Sequence, residues 1–440
     1  MNFIPVSKNS KKEMLKKIGK SIDELLSAVP GDLQIRRKLK VPQPLSEMEI
    51  KKKITEEAKR GKELIVFAGG GVYDHYVPSA IKHLTGRPEF YTSYTPYQPE
   101  VSQGTLQAIF EYQSLICELT GMEVSNASIY DGATALAEAV FMALSINKNR
   151  NKVVVSEGIN PYYLEVIKTY LGYNYSIETL SLKNGITDTG QVAKIDEGTA
   201  CIAIQHPNFL GNLEEVDNFV KAARNNGVIV ILSFDPISLG LLKTPGEYKA
   251  DIATGEGQSL GIPMSLGGPH LGIFTTMKKH VRNTPGRIVG KTVDVKGKEG
   301  YVMVLQTREQ HIRRQKATSN ICTNQQLCAL ASAIYLALHG REGIIEIANK
   351  TTQKAHYLAE ELRGKGLRLP YKQKFFREFV VEIPAGAKRA IKKGVEKGYL
   401  VGIDLGKFKK EWKKHLLVSV TEKRTKEEMD KLAEILSSKP

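Results

Sequence analysis

The chain has 440 residues, of which 41% are hydrophobic and 25% charged, and its formal net charge is +16. These proportions are ordinary for a globular protein with a substantial core, so disordered and fibrous classes are excluded. The basic residues lie in short amphipathic runs, which usually mark solvated helix faces, and they form no concentrated stripe or nucleic-acid-reading module. If the charge has a binding role, we expect an acidic partner that is not nucleic acid.

Neither a secretory signal nor a membrane segment is visible. No window approaches the ~18 uninterrupted apolar residues of a membrane helix, and residues 1–20 contain no continuous apolar core. The cysteines lie in or beside apolar segments, without a C-x-x-C pair or a ligand spacing to histidine, so we expect buried thiols and no metal site. They are Cys117, Cys201, Cys322 and Cys328. These patterns predict a protein of the reducing cytosol.

The chain opens with an amphipathic stretch over residues 1–60. Met14, Ile18 and Ile22 recur at helical spacing before a break at Pro30-Gly31, which predicts a helical arm without a core of its own. Further on, residues 105–120 carry apolar side chains on one helical face, and Gly121 is placed to end that helix.

Short apolar runs then alternate with helical stretches. The runs are rich in β-branched residues, as in strands buried on both faces, and they cover residues 152–156, 200–204, 228–233 and 271–275. A helix over residues 213–226 closes at Gly227. The alternation predicts an α/β domain with a mainly parallel sheet over residues 61–340.

The pattern changes after a long apolar helix over residues 327–338. Strand-like runs at 379–383 and 416–420 and a final helical stretch follow. This order predicts a small α+β domain over residues 341–440.

Asp131-Gly-Ala-Thr-Ala135 directly precedes an alanine-rich helix. Free backbone N–H groups of Gly132 and the hydroxyl of Thr134 would converge there, which suits a phosphate. A simple N-cap by Asp131 without any ligand explains the same residues.

Asp235 ends the strongest predicted strand, at the edge where open α/β sheets bind ligands. A carboxylate at this point can keep a pyridine nitrogen protonated and so make the ring an electron sink. A turn or helix cap is the alternative, because Pro236 follows directly.

The loop at residues 91–100 combines three tyrosines, two prolines and a carboxylate. Prolines restrict the backbone, and tyrosines offer rigid area with a polar tip, so we favour a site or an interface over a structural corner. Residues 308–320 place cations and hydroxyl groups before a buried helix, which suits a phosphate, an acidic partner or a salt-bridged turn. His75 and His206 are best explained by local hydrogen bonds.

Several long segments occur together in one order, and on them the chain resembles the P-protein family of the glycine cleavage system. Within that family it resembles the first of the two subunits into which some organisms divide the enzyme. The segments are residues 67–71, 73–79, 94–100, 102–104, 126–132 and 316–322.

The resemblance implies the fold of aspartate aminotransferase, a fold type I enzyme of pyridoxal phosphate. It also implies that Asp235 lies under the cofactor nitrogen and that a lysine follows some two dozen residues later. Residues 250–268 contain no lysine, and Gln258 stands near the expected position. An amide cannot form a Schiff base, so covalent binding of the cofactor there is excluded.

The family therefore implies a homologous beta subunit that carries the lysine and the pyridoxal phosphate, in a heterotetramer. The enzyme decarboxylates glycine and passes the aminomethyl group to the lipoyl group of the H-protein. We expect this chain to complete the partner's pocket with the residues of the tyrosine loop and helix start that face it, namely Tyr94, Tyr97, Gln98, Glu100 and Gln103. A degenerate or interface-contributing cofactor site would comprise Gly132, Thr134, Asp235, Thr318 and Asn320.

Two alternatives remain at this point. One is a non-catalytic scaffold or regulatory pseudoenzyme of the same fold, in which the tyrosine loop is structural. The other is a basic nucleic-acid-binding protein, which salt-dependent binding would reveal.

Overall fold

The computed structural model of the chain describes residues 6–35, 37–61, 63–322 and 324–438. The chain divides into two compact units, Met1–Lys62 and Glu63–Pro440. The three domains expected from the sequence stay a prediction.

The first unit is helical, as its apolar spacing predicts. Its helices are α1 (Lys8–Ile18), α2 (Ile22–Leu25) and α3 (Glu47–Arg60). A serine side chain caps each helix by accepting a hydrogen bond from a backbone N–H of the first turn. None of the three helices contains a buried residue.

The second unit contains ten further helices and sixteen strands among the residues that the structure describes. The helices are α4 (Ser79–Thr85), α5 (Pro88–Tyr91), α6 (Gln103–Thr120), α7 (Gly132–Ile146), α8 (Pro161–Leu171), α9 (Val216–Asn225), α10 (Gln310–Arg313), α11 (Gln326–Gly364), α12 (Ala387–Glu396) and α13 (Lys426–Ser437). The strands are β1 (Ile65–Val66), β2 (Val124–Ser125), β3 (Lys152–Ser156), β4 (Ser176–Leu180), β5 (Leu182–Lys183), β6 (Ile186–Thr187), β7 (Thr199–His206), β8 (Ile229–Phe234), β9 (Ile252–Glu256), β10 (Gly272–Thr276), β11 (Ile288–Val293), β12 (Glu299–Val304), β13 (Glu378–Glu382), β14 (Tyr399–Leu400), β15 (Ile403–Asp404) and β16 (His415–Ser419).

A seven-stranded sheet organises the second unit, in the order β2-β10-β9-β8-β7-β3-β4. The five strands from β9 to β4 run parallel, and β10 pairs antiparallel with both β9 and β2. Every residue of β8 and all but one of β7 are buried, which explains their continuous apolar runs. The mainly parallel sheet predicted from the sequence is confirmed.

The C-terminal part has a separate three-stranded antiparallel sheet, in the order β13-β16-β15. Its apolar side chains pack with those of α12, α13 and the second half of α11. α11 bends at Gly340, whose φ of 58° lies in the left-handed region. This is the small α+β part that the sequence predicts.

Helix α6 ends as the sequence predicts, because Gly121 takes the left-handed conformation and its N–H bonds to the carbonyl of Cys117. The expectation of four buried thiols is wrong for two of them: Cys322 is exposed, and Cys117 is only partly buried. No helix in the described part of the chain is long and apolar enough to cross a membrane.

Candidate functional site

The carboxyl ends of β7, β8 and β9 meet at one edge of the central sheet, where open α/β sheets bind ligands. A small cavity lies there, with a volume of about 30 Å³. Pockets that bury drug-sized ligands measure roughly 300–1,000 Å³. Its polar lining comprises Tyr73, Tyr163, Gln205, Ser233, Asp235, Glu256, Arg377 and Glu378.

Asp235 is paired within the chain. Arg377 Nε lies 2.6 Å from Asp235 Oδ2, and the two side chains are 3% and 13% exposed. The Arg377 guanidinium also stacks on Tyr73, with 3.3 Å between its carbon and the ring centroid. Burial raises the pKa of Asp235, and the guanidinium opposes that rise. The carboxylate thus already has a planar cation beside it.

Glu378 follows Arg377 directly as the first residue of β13, and it is also buried. Its carboxylate accepts hydrogen bonds from Gly70 N at 2.7 Å and from the Tyr73 hydroxyl at 2.8 Å. Burial raises the pKa of Glu378 to about 7, although the Gly70 N–H and Arg377 oppose the rise. The Arg377-Glu378 pair therefore ties β13 to the pocket at the end of the large sheet.

A carboxylate also occupies the N-terminus of α7. Glu256 Oε2 accepts from Gly132 N at 2.9 Å, while Asp131 caps Thr134 N at 2.7 Å. A Cβ added at Gly132 would lie 2.7 Å from the Tyr163 hydroxyl and 3.0 Å from Glu256 Cβ. Burial raises the pKa of Glu256 to about 8. The backbone N–H groups of Gly132 and Thr134, which a phosphate would need, are therefore already bonded to carboxylates of this chain.

Gln258 is fully buried and hydrogen-bonded through both amide atoms. Its Oε1 accepts from Tyr73 N at 2.8 Å, and its Nε2 donates to Tyr73 O at 3.1 Å and to Ile262 O at 2.8 Å. The amide fixes the backbone of Tyr73 against the loop after β9.

Pyridoxal phosphate does not fit these residues. Gln258, near the position where the resemblance leads us to expect a lysine, is an amide. Glu256 occupies the N-terminus of α7, where we expect a phosphate, and Arg377 pairs with Asp235, the carboxylate we expect beside the ring nitrogen. The remaining cavity of about 30 Å³ holds roughly one or two water molecules.

The predicted tyrosine loop lies at the surface. Tyr94 and Tyr97 are 67% and 44% exposed. The ring of Tyr97 contacts His311 edge-on, with 5.2 Å between ring centroids, and lies 5.8 Å from the guanidinium carbon of Arg287. Its hydroxyl has no hydrogen-bond partner among the described residues.

The structure brings Tyr97 next to the predicted segment 308–320. Tyr97 and Arg287 line a narrow cavity of about 20 Å³ together with residues of this segment, among them Glu309 and Thr318. Glu309 lies 3.6 Å from Arg287 and 3.7 Å from His311, so part of this segment is the salt-bridged turn that the sequence left open. Tyr94 instead lines a groove of about 200 Å³ between the loop, α6 and the start of α11.

The other predicted site residues are more dispersed. Gln98 and Glu100 are exposed beside a short 3₁₀ turn at Pro99–Val101. Gln103 joins α6 to the hairpin β11–β12, because its side chain exchanges two hydrogen bonds of 2.9 Å with the backbone of Tyr301. Asn320 is exposed.

The residues that fill the pocket were not among the predicted site residues, apart from Asp235. Arg377 directly precedes β13, and Glu378 is the first residue of that strand. Glu256 ends β9, whose Thr, Gly and Glu residues hide the strand from an apolar pattern. The one available signal was a cluster of charges at positions that the strand pattern buries. His206 accepts from the backbone N–H of nearby Glu214, and His75 contacts Tyr73 O two residues away and also accepts from the distant backbone N–H of Gly261.

The fold shows the structural class to which the protein belongs. Aspartate aminotransferase from Thermus thermophilus, solved with maleate, is 13% identical and superposes with a TM-score of 0.56, covering 90% of this chain and 96% of that one. At this identity only the fold is shared, and it is the predicted fold type I of pyridoxal phosphate enzymes.

Closer similarities give the family. The family model for the glycine cleavage system P-protein matches residues 1–436. A probable glycine dehydrogenase (decarboxylating) subunit 1 from Chlorobium phaeobacteroides is 49% identical over the full length of both chains. A crystal structure of glycine decarboxylase (P-protein) in inhibitor-bound form is 42% identical, with a TM-score of 0.88 over 99% of each chain. The chain belongs to the glycine cleavage system P-protein family, as its motifs predict.

Proposed function

We propose that the chain is the subunit of glycine decarboxylase that lacks the cofactor lysine, and that it works only in complex with a homologous beta subunit. That enzyme decarboxylates glycine and transfers the aminomethyl group to the lipoyl H-protein. The observation that supports the proposal is the filled pocket, in which Gln258 bonds the backbone of Tyr73, Glu256 accepts from Gly132 N and Arg377 pairs with Asp235. The partner then holds the pyridoxal phosphate.

The exposed tyrosine loop would supply this chain's contribution to the partner's pocket. Tyr97 presents a hydroxyl without a described partner, and its ring lies beside the guanidinium of Arg287 and the ring of His311. Such a preorganised donor stabilises negative charge that develops on a bound group. Tyr94, Gln98 and Glu100 are exposed on the same loop, which supports a role in lining the entrance for glycine and the lipoyl arm.

Thr318 and Asn320 would lie at the boundary with the partner, and a heterotetramer in the cytosol is the proposed assembly and location. The names of the relatives, which include "subunit 1", support a second subunit. The net charge of +16 supports docking of an acidic lipoyl carrier.

Borohydride reduction tests where the cofactor is bound. In the reconstituted complex, peptide mapping should find pyridoxyl-lysine only in the beta subunit. The isolated chain should show neither the absorbance of a lysine-bound cofactor nor glycine decarboxylation. Gln258→Lys alone should stay unlabelled, because Glu256 and Arg377 still fill the pocket. A pyridoxyl-lysine anywhere in the wild-type chain would refute the proposal.

A further inference from the structure

The C-terminal part of the chain concentrates positive charge. Residues 365–414 contain 15 Lys and Arg against 5 Asp and Glu, a net charge of +10. The rest of the second unit, residues 63–364 and 415–440, contains 32 against 34, a net charge of −2. Of the residues in 365–414, twelve cations are exposed, but only two carboxylates are, Glu396 and Glu411. The positive charge of the second unit is therefore local to this part.

Six of the exposed cations lie around one backbone contact. The N–H of Ala387, at the start of α12, bonds to Lys413 O at 3.4 Å. The N–H of Ile383 bonds to Lys414 O at 2.7 Å. A Cβ added at Gly406 would lie 2.9 Å from Lys413 Cα, so the start of α12 and the turns between β15 and β16 meet here. We call the six exposed cations of these segments the lysine cluster: Lys388, Arg389, Lys407, Lys410, Lys413 and Lys414.

The charges of the lysine cluster are not neutralised by the residues that the structure describes. Lys409, on the same turns, pairs with Glu157 and lies 4.6 Å from the centre of the Trp412 ring. None of the six cluster residues has such an ion pair or a side-chain hydrogen bond within the described chain. Like charges that are held together repel one another, and they create a positive potential that attracts anionic partners.

The composition of this surface indicates a partner that binds and leaves quickly. No large hydrophobic side chain of residues 365–414 is exposed, whereas permanent interfaces and membrane anchors need an apolar patch. Five of the six cations are lysines, which are hydrated point charges, and arginine is the residue that binds phosphate groups through two parallel bonds. Trp412 is only 9% exposed, so its ring is not available to stack on a base. An acidic protein surface fits these properties better than a nucleic acid or a membrane.

We infer that the lysine cluster is the docking site for an acidic face of the lipoyl H-protein. The inference rests on the proposed function, in which this carrier protein must bind and dissociate in every turnover. Attraction between opposite charges speeds the encounter of two proteins, while the lifetime of the complex depends on the contacts at close range. A contact made mainly by exposed lysines therefore supports rapid exchange of the carrier.

The variant Lys388→Gln/Lys413→Gln/Lys414→Gln tests the docking site in the reconstituted complex with the beta subunit. We expect the KM for H-protein in carbon dioxide exchange to rise about tenfold or more at low ionic strength, because the steering charge is lost. The kcat at saturating H-protein should not change. In high salt, where charges are screened within a few ångströms, the variant and wild type should differ by less than about twofold in KM.

Two matched variants control for side effects of the substitutions. Lys148→Gln/Lys221→Gln/Lys296→Gln removes three exposed positive charges outside the cluster and should keep the wild-type KM. Arginine at positions 388, 413 and 414 preserves the charge and should also keep it. An equal rise of KM in the first control would show a general effect of net charge and would overturn the docking site.

The remaining outcomes separate the docking site from the proposed function. A glutamine variant of the cluster with wild-type KM overturns the docking site and leaves the proposed function intact. A wild-type complex that does not exchange carbon dioxide in the presence of H-protein overturns both. Weaker association with the beta subunit in sedimentation, or weaker binding of duplex DNA at physiological salt, with an unchanged KM for H-protein, would assign the cluster to that ligand and overturn the docking site.

Discussion

The pocket at the end of the central sheet and the loop at residues 91–100 use tyrosines and charges in opposite ways. In the pocket, the Tyr73 hydroxyl donates to Glu378 and the Arg377 guanidinium stacks on the Tyr73 ring. All three side chains are buried. In the loop, Tyr97 also lies beside a guanidinium and an imidazole, but it is 44% exposed and its hydroxyl has no described partner. Buried polar groups whose hydrogen bonds are satisfied stabilise the fold, whereas exposed polar groups held in a fixed arrangement are available to bind another molecule. This contrast is why we propose a role in activity for the loop and a role in stability for the pocket.

Breaking the buried ion pair should have the largest effect. Arg377→Ala leaves Asp235 buried without its cation, so we expect the free energy of unfolding in urea to fall by about 3–5 kcal/mol. Asp235→Leu/Arg377→Met removes both charges and should lie within about 1–2 kcal/mol of wild type. Equal losses in the single and double variants would show that packing, and not the unpaired charge, dominates.

Tyr97→Phe tests the loop. The ring and its contact with His311 survive, so the melting temperature should not change. A lost donor to developing charge raises the barrier by about 2–4 kcal/mol, or roughly 30- to 1,000-fold in rate. The measurement is carbon dioxide exchange into glycine by the reconstituted complex, with H-protein saturating.

Tyr91→Phe is the control for that experiment, because Tyr91 is 70% exposed on the same loop and is not among the proposed site residues. It should keep wild-type activity. A fully active Tyr97→Phe complex would clear the hydroxyl of a catalytic role and favour a structural loop, as in the scaffold alternative.

The pH dependence of the free energy of unfolding should report the ionisation of Glu378 in the pocket. Burial raises the pKa of Glu378 from 4.5 to about 7, so the folded chain keeps a proton that the unfolded chain has released. The contribution of protonated Glu378 to the free energy of unfolding is therefore complete below about pH 4.5 and is lost as the pH rises through 7. Glu378→Gln mimics the protonated group and should raise the free energy of unfolding at pH 8 by on the order of 2 kcal/mol. An unchanged pH profile in this variant would assign the decline to other groups.

Gln103→Leu should have the smallest effect. It removes the hydrogen bonds that join α6 to Tyr301, and we expect a loss of about 1 kcal/mol in stability. Gln107→Leu, one helical turn later and bonded only to Glu111, should cost less than about 0.5 kcal/mol. A drop in the activity of the complex without a drop in stability would instead place Gln103 at the entrance to the partner's pocket.

Sequence by itself determined the elements whose pattern is local. β3 has the predicted bounds, 152–156, and α6 stops at Gly121 because a left-handed glycine ends the helix. The loss of the lysine is equally a property of sequence, since Gln258 has no chemistry for a Schiff base. The tyrosines and prolines of the loop predicted a site or an interface there, and the structure places Tyr94 and Tyr97 at the surface.

Tertiary structure alone decided how the pocket is filled. Arg377 meets Asp235, and Glu256 meets Gly132, only because separate strands and a helix converge at one edge of the sheet. The antiparallel direction of β10 and the existence of β9 were decided in the same way, by pairing with neighbours rather than by their own composition. Local periodicity carries no information about which distant side chain will satisfy a buried charge, because that partner is set by the packing of whole elements.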